Sequence, residues 1–118
     1  MATHRELEVW NRAVEFATYT YAITRLYPKE ETYGLVSQMR RAAVSIVANI
    51  AEGAARNSNK EFLRFLYIAR GSSSELDALL ELSQRTEMHE KQELKEAQEQ
   101  NLIVGKMLTS LIQRLDNQ

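Results

Sequence analysis

The sequence predicts an all-α protein folded as an antiparallel up-down-up-down four-helix bundle. Three observations predict it. Glycine supplies four and proline one of 118 residues, so breakers are scarce. The chain is rich in Ala, Leu, Glu, Arg and Gln, all strong helix formers. Apolar residues recur at spacings of three and four through four successive stretches.

The first stretch runs from about residue 5 to 27. Leu7, Trp10, Val14, Ala17 and Tyr21 form one seam, and Val9, Ala13, Phe16, Ile23 and Tyr27 form a second beside it. Arg5, Glu8, Arg12 and Glu15 occupy the opposite side, where Glu8 and Arg12 pair at i,i+4. Pro28 stops the helix, because it disfavours the α conformation in Tyr27 and has no N–H to donate. The second stretch, about 31 to 55, carries Leu35, Met39, Ala42, Ile46 and Ile50, with Val36, Ala43, Val47 and Ala54 alongside. Gly53 and Asn57 mark its weakening end.

Ser58 and Glu61 have the spacing of a capping box that opens a third helix, about 58 to 85. Its apolar face is Phe62, Phe65, Leu66, Ala69, Leu76, Leu79 and Leu80, with Leu63 and Tyr67 adjacent. At helical spacing these aromatics point to a core rather than to base stacking. The fourth stretch, about 89 to 115, offers only Leu94 and Ala97 to a core in its charged first half. Leu102, Val104, Leu108, Leu111, Ile112 and Leu115 follow. Short connections make sequential helices antiparallel neighbours in one domain over residues 1–118.

Composition removes several functions. With no cysteine there is no disulfide, thiolate site or Cys nucleophile. No apolar run approaches a membrane span and the N-terminus lacks a secretory pattern, so a cytoplasmic protein without a membrane partner is expected. A di-metal bundle needs two Glu-x-x-His motifs. Neither His4 nor His89 has Glu three residues before it, so no metal and no cofactor are expected. His89 is expected at the surface. Phosphate loops and hydrolase elbows are absent as well. Ser72, Ser73 and Ser74 after Gly71 have no histidine partner and suit close helix packing. No catalytic residue emerges, and the chain is expected not to be an enzyme.

Net charge is −1, but residues 37–75 hold six basic and three acidic side chains while residues 76–118 hold five and eight. Within the basic third, Gln38, Arg41, Ser45, Asn49, Glu52 and Arg56 recur at helical spacing, a polar stripe on an otherwise apolar helix. Such a stripe is either a solvent face or a hydrogen-bonded network at a helix or subunit seam. Folding the second and third helices about residue 57 sets Arg41 level with Ser73 and predicts an Arg41–Glu75 contact with Ser72 nearby. Folding the first helix onto the second brings Asn49 and Glu52 toward Trp10, whose indole N–H needs an acceptor if buried. Glu52 and Glu75 are read as structural partners rather than catalytic or metal-binding carboxylates.

Tyr33-Gly34-Leu35, Gln38, Arg40-Arg41-Ala42, Ser45-Ile46, Asn49-Ile50-Ala51-Glu52-Gly53 and Arg56 closely resemble the signature of the bacterial four helix bundle proteins, first found encoded in intervening sequences of 23S ribosomal RNA genes. Leu7-Glu8-Val9-Trp10, Pro28-Lys29-Glu30, Glu61-Phe62, Phe65-Leu66, Ala69, Gly71-Ser72 and Glu75-Leu76 extend the likeness over roughly residues 5 to 115. Val47 stands where that family commonly has proline. The resemblance implies a four-helix protomer, a ring-like homopentamer and no established enzyme activity. It also implies kinship with accessory variability proteins of diversity-generating retroelements, strongly basic pentamers that bind nucleic acid.

In that light Gln38, Arg41, Asn49 and Glu52 are expected to be buried for registry, while Arg40, Arg56, Lys60 and Arg64 stay outward. Arg56, Lys60 and Arg64, at i, i+4 and i+8 across the corner between the second and third helices, read either as a phosphate-facing strip or as a plain solvated corner. Two readings follow. One is an oligomeric scaffold binding RNA or DNA weakly through this basic rim. The other is a protein–protein adaptor that uses the charged stretch from Glu87 to Gln100 to dock a protein partner.

Overall fold

A computed structural model describes residues 3–118. Four helices follow in order: α1 Glu8–Thr24, α2 Leu35–Ala54, α3 Asn59–Arg85 and α4 Lys91–Asp116. Short 3-10 turns at His4–Glu6 and Lys29–Glu31 precede α1 and α2, and no strand occurs among the described residues. Each helix packs against its two neighbours in the cycle α1–α2–α3–α4, and the diagonal pairs stay apart. The result is an all-α four-helix bundle, a rod of 45 × 21 × 19 Å.

The helix ends have local causes. α1 stops three residues before Tyr27, because the Leu26 and Tyr27 N–H groups donate to Ile23 and Thr24 in tighter turns. That curl carries the Tyr27 ring into the core, where it is 6% exposed. α2 begins at Leu35 rather than 31; Glu31 lies in the preceding turn, and its Oε1 accepts from the Leu35 N–H at 3.2 Å. At α3 the Ser58 hydroxyl accepts from the Glu61 N–H at 3.2 Å, half of the expected capping box. α3 ends in a Schellman turn, with Met88 N–H on Ser83 O and Glu87 N–H on Gln84 O. Glu87 takes the left-handed position there, at φ 55°.

One core runs the length of the rod. Phe16, Met39, Ile46, Ile50, Leu66, Leu76, Leu80, Leu94, Val104 and Leu108 are almost wholly buried in it. On α1 the seam of Val9, Ala13, Phe16 and Ile23 is the buried one, and Trp10, Val14 and Tyr21 are half-exposed. On α4 the seam is Leu94, Ala97, Asn101, Val104, Leu108 and Leu111. Leu102, expected in the core, lies one position off that seam and is 59% exposed. His89 also departs from expectation. Its side chain is only 7% exposed, its Nε2 lies 2.6 Å from Glu93 Oε1, and its ring stacks on Tyr27 at 6.0 Å. Burying the α3–α4 turn against the end of α1 explains its place.

Candidate functional site

The corner between α2 and α3 gathers three basic side chains. Arg56 follows α2, Lys60 and Arg64 stand on the first turns of α3, and all three are exposed. The Arg56 and Arg64 guanidiniums lie 4.9 and 4.6 Å from the centre of the Phe65 ring. These contacts hold two flexible cations in place at modest energy. Each also meets a carboxylate: Arg56 Nη2 lies 3.0 Å from Glu52 Oε2, and Arg64 Nη2 lies 3.5 Å from Glu61 Oε1. Exposed pairs of this kind contribute at most about 1 kcal/mol and yield readily to a stronger anion. Lys60 makes no ion pair among the described residues.

Arg40, expected beside them, is elsewhere. Its Nε donates to Thr24 Oγ1 at 3.0 Å and its Nη2 to the Tyr21 carbonyl at 3.3 Å. The guanidinium also lies 4.5 Å from the centre of the Tyr21 ring. A cation on the last carbonyls of α1 complements the helix dipole, so Arg40 clamps α1 to α2 and is not a free phosphate ligand.

The polar stripe of α2 divides. Ser45 and Asn49 are half-buried and join Ser72 of α3. Ser72 Oγ donates to Ser45 Oγ at 2.8 Å, and Asn49 Nδ2 donates to Ser45 O and Oγ at 2.8 and 3.0 Å. Gln38, Arg41, Glu52 and Glu75 are exposed in the protomer. The expected Arg41–Glu75 contact does not form. The Ser45–Ser72 bond centres the hairpin between residues 58 and 59 rather than at 57. That register sets Arg41 level with Leu76, one residue from Glu75, yet both side chains are exposed and no ion pair joins them among the described residues. Trp10 also lacks the expected acceptor: neither Asn49 nor Glu52 accepts from its indole N–H. Its buried Nε1 has no partner among the described residues, and the ring packs edge-on against His4 at 4.6 Å.

Beyond the stripe, α1 and α2 leave an apolar groove of about 500 Å³, lined by Val14, Ala17, Tyr21, Val44, Val47 and Ala48. Val44 at its edge is 47% exposed. The opposite flank is polar. Ser73 and Asn101, 6% and 3% exposed, bind each other between α3 and α4. Ser73 Oγ donates to Asn101 Oδ1 at 2.8 Å, and Asn101 Nδ2 donates to Ser73 O at 2.9 Å. Sequence reasoning did not single out Asn101, although a polar residue within the seam Leu94, Ala97, Asn101, Val104, Leu108 was the available signal.

Among the described residues no group of three or more His, Asp or Glu side chains is placed to hold a metal ion. Nor is any described helix long and apolar enough to cross a membrane. Residues 5–110 match the family model for the 23S rRNA-intervening sequence protein. The chain is also similar to a crystallised protein of unknown function from the S23 ribosomal protein family of Bacteroides thetaiotaomicron VPI-5482. The two are 27% identical, with a TM-score of 0.82 over 89% of this chain and 95% of that one. No curated protein matches.

Proposed function

The chain belongs to the 23S rRNA-intervening sequence protein family, and on that premise we propose a non-catalytic oligomeric scaffold that binds RNA or DNA weakly. The α2–α3 corner is the contact surface, with Arg56, Lys60 and Arg64 on phosphates. The observation that carries this reading is the exposed trio, two of its members fixed over Phe65 and held only by exchangeable surface pairs. A second copy of the chain covers the apolar α1–α2 groove around Val44 and Ala48. The family resemblance supports a ring of five copies. Repetition of a weak corner around a ring raises avidity without any new contact.

The test is binding of a structured RNA and a DNA duplex across salt concentrations, with solution mass followed by light scattering. Affinity should fall steeply with salt as phosphate contacts release counterions. Replacing Arg56, Lys60 and Arg64 by Gln should flatten that dependence without changing the oligomer. Binding indifferent to salt, or unchanged in the triple variant, refutes the corner. A stable oligomer that ignores nucleic acid favours a protein adaptor docking through Glu87 to Gln100. A monomer refutes the assembly.

A further inference from the structure

The polar flank between α3 and α4 holds a groove of about 660 Å³, within the size range of small-molecule sites. Antiparallel helices normally close such a space with interlocking side chains. Here Ser73, Ser74 and Gly105 leave it open; a Cβ built on Gly105 would lie 3.5 Å from Ser73 Oγ. Two cations line it, Arg70 from α3 and Lys106 from α4. Neither forms an ion pair among the described residues, and Arg70 is steadied over the Tyr67 ring at 5.0 Å. Asp77 is the one acidic side chain in the lining.

The floor is unusual for a bundle core. Asn101, 3% exposed, uses one N–H on the Ser73 carbonyl and its Oδ1 on the Ser73 hydroxyl. Its second N–H has no partner among the described residues, and Asn101 lines the groove. That N–H is available to an acceptor bound in the groove.

We propose that this groove binds a nucleotide unit, a phosphate ester attached to a hydrogen-bonding group. Arg70 and Lys106 take the phosphate, whose charge matches two cations. Asn101 donates to an acceptor on the sugar or base, Asp77 accepts from a hydroxyl or amino group, and exposed Leu102 covers the apolar face. The unit comes either from a free nucleotide or from a nucleic-acid strand. This site is separate from the α2–α3 corner, and changes at Arg56, Lys60 and Arg64 leave its residues intact.

The experiment is an NMR titration of the full chain with inorganic phosphate, nucleoside 5′-monophosphates and single-stranded trinucleotides at low salt. Saturable shifts at the Ser73, Asn101 and Gly105 amides are expected. Affinity should drop at least tenfold in the double variant Arg70→Gln, Lys106→Gln, and stay unchanged in the Arg56, Lys60, Arg64 triple variant. Both sets change exposed or half-exposed side chains, and a melting curve checks each fold. Tighter binding of the trinucleotide assigns the strand as source; tighter binding of the mononucleotide assigns the free ligand. Either supports the site. Inorganic phosphate binding as tightly as any nucleotide, shifts surviving in the Arg70, Lys106 double variant, or no saturable shift overturns it.

Discussion

Gly53 and Gly71 both sit inside helices with ordinary backbone angles, yet their replacement by alanine should move stability in opposite directions. Gly71 lies exposed in mid-α3, and a Cβ added there meets nothing within 4 Å. Gly71→Ala should therefore realise the full difference in helix propensity, about 1 kcal/mol. Gly53 is buried where α2 crosses the start of α3. A Cβ there would lie 2.8 Å from Phe65 Cβ, 2.9 Å from Phe62 Cδ1 and 3.2 Å from the Phe62 carbonyl. Carbon atoms pack at about 3.5–4.0 Å, so α3 would have to retreat by most of an ångström. Overpacking of this kind costs about 1–3 kcal/mol, and the propensity gain is small so near the helix end. Gly53→Ala should lose roughly 1–2 kcal/mol, leaving the variants about 2–3 kcal/mol apart. For a chain of 118 residues, 1 kcal/mol corresponds to about 4 °C in Tm, which separates them by roughly 8–12 °C. Thermal and urea melts at one protein concentration measure this, since assembly makes Tm concentration-dependent. A Gly53→Ala protein as stable as Gly71→Ala would refute the close-approach reasoning.

Four further outcomes are expected. Tyr27→Phe should be neutral to about 1 kcal/mol stabilising at neutral pH, since it removes a buried hydroxyl that has no hydrogen-bond partner among the described residues. Burial pushes the Tyr27 phenol above its ordinary value. Stability from this group is therefore intact below about pH 10 and is lost as pH rises through the elevated value, a decline that alkaline melts should find reduced in Tyr27→Phe. Glu87→Gly should add about 1 kcal/mol in urea melts, because it relieves a left-handed residue in the Schellman turn. Arg40→Ala should cost about 1–2 kcal/mol by freeing the end of α1, while RNA affinity per folded protein stays unchanged; a selective loss of RNA binding would return Arg40 to the interface. Ser73→Ala and Asn101→Ala should couple by about 1 kcal/mol in a double-mutant cycle, and additive effects would show that their bonds carry no shared stability.

Periodicity made the four helices legible, because seams at spacings of three and four need no knowledge of neighbours. The rotation of each helix was less legible. α1 carries two seams of similar hydropathy, and only the meeting of α2 and α4 decides that Phe16 is buried while Trp10 is half-exposed. Leu102 misled because it neighbours the true α4 seam in sequence, yet one residue is about 100° around a helix. Turn geometry was hidden for a related reason. The α3–α4 Schellman turn carries Glu87 where glycine would have announced it. The corner trio was legible from spacing, and Arg40 was not, since its direction depends on where the carbonyls of α1 end.

The middle of α3 shows why a polar stripe alone underdetermines a site. Ser72 and Ser73 are adjacent, so one helix step sends the first hydroxyl to Ser45 on α2 and the second to Asn101 on α4. Both seams are thus joined by hydrogen bonds at the same level of the rod, with Ala69 and Leu76 above and below. Buried polar pairs give little net stability, but a shifted register would strand each hydroxyl without its partner, and that penalty fixes how α2 and α4 meet α3. The small side chains that allow this meeting also keep the α3–α4 groove open. On α2 the same logic stops halfway: Ser45 and Asn49 are satisfied inside the protomer, whereas the side chains of Gln38 and Arg41 are exposed and make no hydrogen bond or ion pair among the described residues. Registry within the chain accounts for the inner half of the stripe. That logic does not reach the outer half, and the assembly proposal rests instead on the apolar α1–α2 groove around Val44 and Ala48.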